Sequence, residues 1–426
     1  MQKIDFVEDL RWRGMLQDIM PGTQELLKNG VVKGYIGFDP TADSLGVGNL
    51  VQIMTLLHFQ RAGHIPVALI GGATGMVGDP SGKSQERNLL NEEILRHNQD
   101  CQRKQLEKFL DFGGGEGSAL LFNNYDWFKD MGFLEFIRDV GKHLTVNYML
   151  AKDSVKHRLE SGMSFTEFSY QLVQGYDFFY LWKNHGISLQ MGGSDQWGNI
   201  VAGTELIRRK SAGEAFALTT PLIKKADGTK FGKTESGNVW LDAKKTSPYK
   251  FYQFWLNSSD DDAANYIRIF SLRSREDLES VILGHKSDPG KRFLQRELAR
   301  EITTRVHSDS EYRQSQEASE ILFGKASSEL LNGLSAQMVD EIFEGVPSGV
   351  ITRSDLTSGL PIAEMLVKSG FLNSNSEARR AIQEGSIAVN KIKVDAEKVC
   401  KESDVLACQK ILLQRGKKSF FVLNVV

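Results

Sequence analysis

The sequence contains little cysteine: Cys101, Cys400 and Cys408 are the three in 426 residues. Three scattered thiols exclude a disulfide framework, and their spacing does not suit a zinc site. No apolar run approaches the roughly 18 residues that a membrane-spanning helix needs, and the first residues lack the apolar core of a secretory signal peptide. We therefore expect a protein of the reducing cytoplasm, with no membrane partner and no protein-bound metal.

An excess of either charge is also missing. The chain has 52 Lys and Arg against 54 Asp and Glu, a formal net charge of −2. Taken over the whole chain, this balance argues against a nucleic-acid binder. Positions 356–426, however, carry eleven Lys and Arg against seven Asp and Glu. The total therefore excludes a uniformly basic protein, but it leaves room for a C-terminal segment that binds RNA.

Composition and length indicate a globular protein of more than one domain, with 41% apolar and 25% charged residues. In the first half, apolar runs alternate with amphipathic stretches. Strands are predicted at 31–38, 65–70, 120–122 and 187–191, and helices at 50–62, 85–112 and from 195 onwards. This repetition favours an α/β fold with a doubly wound parallel sheet. Such sheets bind ligands at the carboxyl ends of their strands.

Beyond residue 246 the pattern becomes helical and then mixed. An all-helical region is predicted over 247–325, with one apolar stripe formed by Leu294, Leu298, Ile302 and Val306. The stretch 326–355 is less regular and is predicted to be a linker. The remainder predicts two short helices, near 362–367 and 376–384, and then a strand pair over 387–394 around an Asn-Lys turn.

Four segments rich in glycine, hydroxyls or lysine are candidates for chemistry, at 38–50, 71–84, 192–199 and 226–237. The second almost matches a P-loop, but Gly78 and Gly82 enclose three residues where the Walker pattern needs four. The first and third join strands to helices, where backbone N–H groups can bind phosphate or a residue such as Asp195 can simply cap the helix. The last is either a solvated loop or a source of ammonium groups for a polyphosphate leaving group.

Together these segments resemble the class I aminoacyl-tRNA synthetases, and in local sequence the bacterial-type tyrosyl-tRNA synthetases. Lys230 to Thr234 occupies the position of the family's K-M-S-K-S motif, and Gly193 to Asn199 matches without gaps. The resemblance covers essentially the whole chain. It implies a Rossmann-like catalytic domain (1–225) with a dimer-interface insertion (about 124–158), a K-M-S-K-S-type loop (226–246), an α-helical anticodon-binding domain (247–325), a linker (326–355) and an S4-like α+β RNA-binding domain (356–426).

The resemblance also implies a two-step reaction. The tyrosine carboxylate attacks the α-phosphate of ATP, which enters as Mg-ATP, and gives tyrosyl-adenylate and pyrophosphate. The 3′-terminal ribose of tRNA(Tyr) then accepts the tyrosyl group. The implied partners are L-tyrosine, ATP, tRNA(Tyr) and a second copy of the chain in a homodimer. Such an enzyme positions its reactants and stabilises phosphate charge, which suits a site without a nucleophile–base pair.

Roles for single residues follow from the resemblance. The tyrosine-binding residues would be Tyr35, Asp79, Tyr170, Gln174, Asp177 and Gln196, with Tyr35 and Asp177 on the phenol. The ATP-binding residues would be Asp39, Gly46, Gly48, Asn49, Gly193, Asp195 and Lys233. Charge on the departing pyrophosphate would be stabilised by Thr41, Lys83, Arg87, Lys230, Lys233 and Thr234. The RNA-binding residues would be Arg379, Arg380, Lys391, Lys393, Arg415, Lys417 and Lys418. Independently of the family, Tyr170, Gln174 and Asp177 have the spacing of one helix face.

The chain departs from the family at its H-I-G-H signature, where Gly46 and Asn49 replace the first and fourth residues. An imidazole at position 46 would donate to the γ-phosphate in the transition state, and losing such a donor can cost a few kcal/mol. One interpretation is an active ligase in which Thr41 and the loop lysines stabilise the phosphates. The other is a non-catalytic RNA-binding paralogue. The retained site positions favour the active ligase, and the polar pair Tyr35 and Asp177 argues against specificity for tryptophan.

Overall fold

The computed structural model describes residues 4–79, 81, 90–152, 155–156, 162–234, 237–323, 331–416 and 419–426. Four predicted site residues lie outside the described residues: Lys83, Arg87, Lys417 and Lys418. Gly82, which belongs to the near-match to a P-loop, also lies outside them. The chain divides into two compact units, Met1–Thr246 with Asn257–Val306, and Ser247–Leu256 with His307–Val426.

A five-stranded parallel sheet forms the centre of the first unit. Its strands are β1 (Lys33–Phe38), β2 (Ile65–Ile70), β3 (Leu120–Asn123), β4 (Leu189–Gly193) and β5 (Phe216–Thr220). They lie in the order β3-β2-β1-β4-β5, and every pair is parallel. Since the chain winds to one side of β1 and then to the other, the predicted doubly wound α/β fold is confirmed.

The first unit contains helices before and between the strands of this sheet and further helices after its last strand. Their bounds are Phe6–Arg13, Thr23–Asn29, Val47–Arg61, Thr74–Val77, Glu92–Leu106, Tyr125–Phe128, Phe133–Asp139, Val146–Leu150, Phe165–His185, Trp197–Ser211, Asp260–Phe270, Arg275–Ser287 and Phe293–Val306. Single 3-10 turns occur at Gly141–His143, Ser194–Gln196 and Pro289–Lys291. A two-stranded hairpin, β6 (Lys233–Thr234) with β7 (Gly237–Asn238), lies in the K-M-S-K-S-type segment. The four residues of the apolar stripe on helix Phe293–Val306 are buried, as their spacing predicts.

Local sequence explains the two helices that matter most for the site. Helix Val47–Arg61 begins earlier than predicted because the Gly46 N–H donates to the Asn49 side chain and closes the first turn. Helix Phe165–His185 starts with a capping box between Ser164 and Glu167, and it ends at Gly186 in the left-handed region. The helix predicted over 85–112 is shorter where it is described, Glu92–Leu106.

The second unit combines helices with a mixed sheet. Its helices are Pro248–Leu256, Asp309–Phe323, Ala336–Ile342, Arg353–Thr357, Ile362–Lys368 and Asn375–Gln383, with a 3-10 turn at Glu402–Asp404. Its strands are β8 (Ser348–Ile351), β9 (Leu360–Pro361), β10 (Ile387–Val389), β11 (Ile392–Lys393), β12 (Val399–Cys400), β13 (Lys410–Arg415) and β14 (Ser419–Val425). One sheet has the order β11-β10-β13-β14-β8, and β12 pairs with β9. The predicted hairpin at β10 and β11 is confirmed, with Asn390 and Lys391 at positive φ in its turn.

The expectation of irregular structure over 326–355 is wrong for its described part. Strand β8 pairs in parallel with β14 at the edge of the second sheet. Helix Ala336–Ile342 buries Val339 and Ile342 in an apolar cluster of the second unit. These elements are short and depend on partners far along the chain, so they leave little periodicity in the local sequence. In the part of the chain that the structure describes, no helix is long and apolar enough to cross a lipid bilayer.

Candidate active site

A cavity of about 290 Å³ opens at the carboxyl ends of β1 and β4. This is the switch point of the sheet, where doubly wound folds bind ligands. Twelve of the residues predicted from sequence line the cavity: Tyr35, Asp39, Thr41, Gly48, Asn49, Asp79, Tyr170, Gln174, Asp177, Gly193, Asp195 and Gln196. Residues that are far apart in the sequence therefore meet at one sheet edge, as the strand–loop–helix pattern predicts.

The buried end of the cavity presents two polar side chains, Tyr35 and Asp177, each 1% exposed. The Asp177 carboxylate accepts hydrogen bonds from Asn124 Nδ2 at 3.0 Å and from Trp127 Nε1 at 2.9 Å. Burial raises the pKa of Asp177 to about 8, although both of these hydrogen bonds lower it. Among the described residues, the Tyr35 hydroxyl has no hydrogen-bond partner. A buried hydroxyl without a partner points to a ligand that supplies one.

Asn124 and Trp127 were not predicted as site residues. Asn124 also accepts from the Ala73 N–H at 2.6 Å and donates to the Thr74 hydroxyl at 3.0 Å. The Trp127 ring stacks on Tyr180, with ring centroids 4.5 Å apart. Both residues fall in the segment predicted as a dimer-interface insertion, yet here they hold Asp177. Their position directly after β3 is the sequence signal that could have found them, since that strand ends at the same sheet edge.

Two more carboxylates lie in the cavity wall, and both are held in place. Asp39 accepts from the Tyr170 hydroxyl at 3.0 Å and from the Thr74 hydroxyl at 2.8 Å. Asp79 accepts from Gln196 Nε2 at 2.8 Å and from a backbone N–H at 2.9 Å. Burial raises the pKa of Tyr170, and the neighbouring Asp39 raises it further, so this hydroxyl keeps its proton. Hydrogen bonds from the protein thus orient both carboxylates.

Buried amide oxygens provide further acceptors in the cavity. The Oε1 atoms of Gln52, Gln174 and Gln190 have no hydrogen-bond partner among the described residues. Gln174 was predicted, whereas Gln52 and Gln190 were not. Gln52 stands one helical turn after Asn49, so helical spacing could have indicated it. Together with the carboxylates, these oxygens form a site that suits N–H and ammonium donors.

Gly193 allows a close approach at the end of β4. A Cβ atom there would lie 2.6 Å from Asp195 Oδ1, so a larger residue would displace that carboxylate. Asp195 follows in the 3-10 turn Ser194–Gln196, with its side chain at the rim of the cavity. The glycine and the carboxylate thus form one unit at the sheet edge.

Residues 46–49, called the signature turn below, form backbone contacts with Val239 and Trp240, which follow the K-M-S-K-S-type motif. The Val47 N–H donates to the Val239 carbonyl at 2.9 Å, and Gly46 forms an antiparallel bridge with Trp240. A Cβ atom at Gly46 would lie 3.3 Å from the Val239 carbonyl oxygen. Gly46 itself does not line the cavity, whereas Gly48 and Asn49 do. Space at position 46 is therefore limited by the backbone of Val239.

Residues 224–234, called the lysine loop below, lie beside this turn. Lys230, Lys233 and Thr234 are exposed and do not line the cavity. Gly232 is at φ +78°, and a Cβ atom there would lie 3.1 Å from the backbone nitrogen of Gly48. The loop backbone thus lies against the signature turn, with a lysine on each side of the contact. Among the described residues, no group of three or more His, Cys, Asp and Glu side chains is placed to hold a metal ion.

Known proteins match this chain over nearly its whole length. Residues 27–324 match the family model for class I tRNA synthetases of tryptophan and tyrosine, and residues 338–423 match the C-terminal domain of SYY-like tyrosine–tRNA ligases. A tyrosine–tRNA ligase of Cytophaga hutchinsonii is 58% identical, covering 99% of both chains. The chain belongs to the tyrosyl-tRNA synthetase family. Its Bacteroides thetaiotaomicron relative, also a tyrosine–tRNA ligase, is 57% identical over 99% of both chains.

Solved structures of the tyrosyl-tRNA synthetase family share the fold. A C-terminally truncated mitochondrial tyrosyl-tRNA synthetase of Aspergillus nidulans has a TM-score of 0.67 and 31% identity. The match covers 74% of this chain and 94% of the Aspergillus nidulans chain. The family resemblance drawn from the four motifs is therefore confirmed, and so is the Rossmann-like core.

The basic residues predicted to bind RNA in this family member lie in the second unit. Arg379 and Arg380 are exposed on helix Asn375–Gln383, and Lys393 is exposed on β11. Arg415 forms an ion pair with Glu377 of the same helix at 2.7 Å. Lys391 lies 4.4 Å above the Phe420 ring. Their role in RNA binding stays a prediction.

Proposed function

We propose that this chain ligates tyrosine to tRNA in two steps, both at the cavity between β1 and β4. Family membership supports the overall reaction, and the chain acts as a tyrosine–tRNA ligase. The observation that carries the assignment of the site is the buried pair of Tyr35 and Asp177. Among the described residues, the Tyr35 hydroxyl has no hydrogen-bond partner, whereas the Asp177 carboxyl group is held by two donors.

The phenol of the substrate would sit between these two groups. Its O–H donates to Asp177, and its oxygen accepts from Tyr35. A substrate without the hydroxyl would leave the buried Tyr35 hydroxyl without an acceptor and would offer no donor to Asp177, so it is strongly rejected; this enzyme family is the standard example of the rule. Tryptophan offers an indole N–H but no acceptor for Tyr35, so the pair favours tyrosine over both alternatives.

The α-ammonium group of tyrosine would bind the acceptors nearer the mouth of the cavity. These are the carboxylate of Asp79, the oxygen of Tyr170, whose hydrogen is already donated to Asp39, and Gln174 Oε1, which has no partner in the part of the chain that the structure describes. With both ends of the amino acid held, the carboxylate is directed at the α-phosphate. Positioning of this kind can supply much of the rate of a group transfer.

ATP would lie across the start of helix Val47–Arg61, with Mg²⁺ arriving as part of the substrate. Gly48 and Asn49 line the cavity in the first turn of this helix, where the helix dipole favours phosphate. Asp195 at the rim would accept from the ribose hydroxyls. The ammonium groups of Lys230 and Lys233, with the Thr234 hydroxyl, would stabilise charge on the leaving pyrophosphate.

We also propose that two copies pair through an apolar face and work in the cytoplasm. We assign to this face the exposed apolar side chains of the insertion and of the helix after it: Phe133, Leu134, Ile137, Val146 and Phe165. Leu134 is 82% exposed, which is unusual for a side chain that faces only water. The three cysteines are free thiols, which suits a reducing compartment.

Exchange of labelled pyrophosphate into ATP tests the proposed activity. The expected result is exchange that requires tyrosine and that neither tryptophan nor ATP alone supports. A chain that binds tRNA but shows no exchange with tyrosine would be the non-catalytic paralogue. Exchange that requires tryptophan instead would overturn the assignment of Tyr35 and Asp177.

A further inference from the structure

The lysine loop rests on helix Asp260–Phe270, called the platform helix below. The rings of Tyr266 and Phe270 pack on Phe231, with ring centroids 4.8 and 5.8 Å away. Phe231 is 8% exposed, whereas its neighbours Lys230 and Lys233 in the same loop are exposed. Contacts between aromatic rings of this kind stabilise a structure beyond the effect of the area they bury. Phe231 is therefore held in a defined place on the helix.

A second contact holds the loop at its other end. The Asp262 carboxylate accepts a hydrogen bond from the Ala226 N–H at 2.8 Å. Its other oxygen accepts from the Ser259 hydroxyl at 2.8 Å, in the first turn of the platform helix. Asp262 is 7% exposed, so this charge-assisted contact is shielded from water.

The platform helix is itself fixed to the rest of the first unit at its C-terminal end. Arg13 donates to two carbonyl oxygens at this end, at 2.5 and 3.0 Å. Arg305 donates to the Phe270 carbonyl at 2.5 Å, and His58 Nε2 lies 3.1 Å from the Ile269 carbonyl oxygen. The guanidinium groups of Arg13 and Arg305 are cationic donors, which are favourable at the negative end of a helix. His58 belongs to helix Val47–Arg61, so one rigid helix carries both the signature turn and a support of the platform.

We propose that the platform helix positions the lysine loop so that its lysines reach the leaving pyrophosphate. Two contacts fix the loop: Phe231, called the anchor, packs on the rings of the helix, and Asp262, called the latch, accepts a hydrogen bond from the Ala226 N–H. Phe231 lies between the two lysines in sequence, so its place on the helix sets where both ammonium groups can reach. This inference rests on the proposed function of those lysines. The tyrosine pocket is built from other elements, so the loss of the anchor should affect phosphate chemistry and leave tyrosine binding intact.

The variants that test it come in matched pairs. Tyr266→Ala removes a ring beneath the anchor, whereas Tyr266→Phe keeps the ring and removes only the hydroxyl that faces Asp262. Asp262→Ala removes the latch, Asp262→Asn keeps an oxygen for the Ala226 N–H, and Asp261→Ala changes the exposed acid beside it. Phe231→Leu weakens the same contact from the loop and leaves the platform helix unchanged. For each variant we would measure the single-turnover rate of adenylate formation, pyrophosphate affinity in the reverse reaction, tyrosine affinity and the thermal midpoint.

The alanine variants at 266 and 262, and Phe231→Leu, should slow adenylate formation about tenfold to hundredfold, since small displacements have such effects on group transfer. Pyrophosphate should bind more weakly, while tyrosine affinity stays unchanged. Tyr266→Phe, Asp262→Asn and Asp261→Ala should behave like the wild type. Wild-type rates in Tyr266→Ala and Phe231→Leu, or an equal loss of tyrosine affinity, would overturn the inference in an active enzyme. An inactive wild type would refute the proposed function, and the inference would fall with it.

Discussion

The indole N–H of Trp127 donates a hydrogen bond to the Asp177 carboxylate at 2.9 Å, in a pocket where both side chains are buried. Trp127→Phe removes this donor but keeps an aromatic ring against Tyr180. Hydrogen bonds to charged groups contribute about 1.5–3 kcal/mol, so tyrosine should bind about tenfold more weakly or worse. Equilibrium dialysis measures the change. Trp182→Phe is the matched control, because that indole donates to the Glu214 carbonyl on the surface; equal effects of both substitutions would contradict the prediction.

Tyrosine affinity should increase with pH. Burial raises the pKa of Asp177 to about 8, so the free site is mostly protonated near neutrality. The substrate phenol donates a hydrogen bond and therefore favours the ionised carboxylate, so binding releases a proton below that pKa. The dissociation constant should fall by up to about tenfold per pH unit between about pH 6 and pH 8, and then level off. Affinity independent of pH over this range would refute the proposed role of Asp177.

Tyr35→Phe should have opposite effects on function and stability. The hydroxyl it removes is buried and has no partner among the described residues, so its loss should leave the thermal midpoint unchanged or raised. Tyrosine should bind about tenfold more weakly, because the phenol oxygen loses its donor. Calorimetry and a binding isotherm measure the two quantities on one sample. A lower midpoint together with unchanged tyrosine affinity would show that the hydroxyl has only a structural role.

Gly46→His should accelerate adenylate formation by about tenfold or more, since it restores a donor to the phosphates. The added side chain must also displace the Val239 carbonyl slightly, because a Cβ atom at position 46 would lie 3.3 Å from its oxygen. Gly46→Ala is the control, since it introduces the Cβ atom without the imidazole. Pre-steady-state rates at saturating tyrosine give the comparison. No gain over Gly46→Ala would show that the imidazole is dispensable in this chain.

Paired acidic substitutions should separate the two copies. Phe133→Asp with Leu134→Asp places charge on the two most exposed side chains assigned to the apolar face, while Leu283→Asp changes a side chain that is 71% exposed on helix Arg275–Ser287. The double variant should sediment as a monomer and lose tRNA charging, and the control should remain a dimer. A dimeric double variant would place the interface elsewhere.

The sequence predicted the parts of the fold in which local pattern and burial agree. Strands β1 to β4 are apolar runs, and glycine-rich motifs mark the carboxyl ends of β1, β2 and β4. Strand β5 was not predicted, because it ends in Thr219 and Thr220, polar residues that are nevertheless fully buried. Strand β8 was not predicted either, since its pairing with β14 joins residues more than seventy positions apart.

The distance along the chain between interacting residues also explains which site residues could be predicted from the sequence. Tyr170, Gln174 and Asp177 stand one or two turns apart on one helix, so their spacing predicts a shared face. Asn124 and Trp127 act through Asp177, which lies fifty or more positions away in the sequence. Such long-range contacts leave no local pattern.

The central claim is that the buried Tyr35 and Asp177 recognise the phenol of tyrosine. Single-turnover formation of aminoacyl-adenylate by the wild type, with tyrosine and with phenylalanine at matched concentrations, tests it most directly. The account predicts rapid adenylate formation with tyrosine and strong rejection of phenylalanine. Comparable rates with both amino acids, or no adenylate with tyrosine, would contradict it.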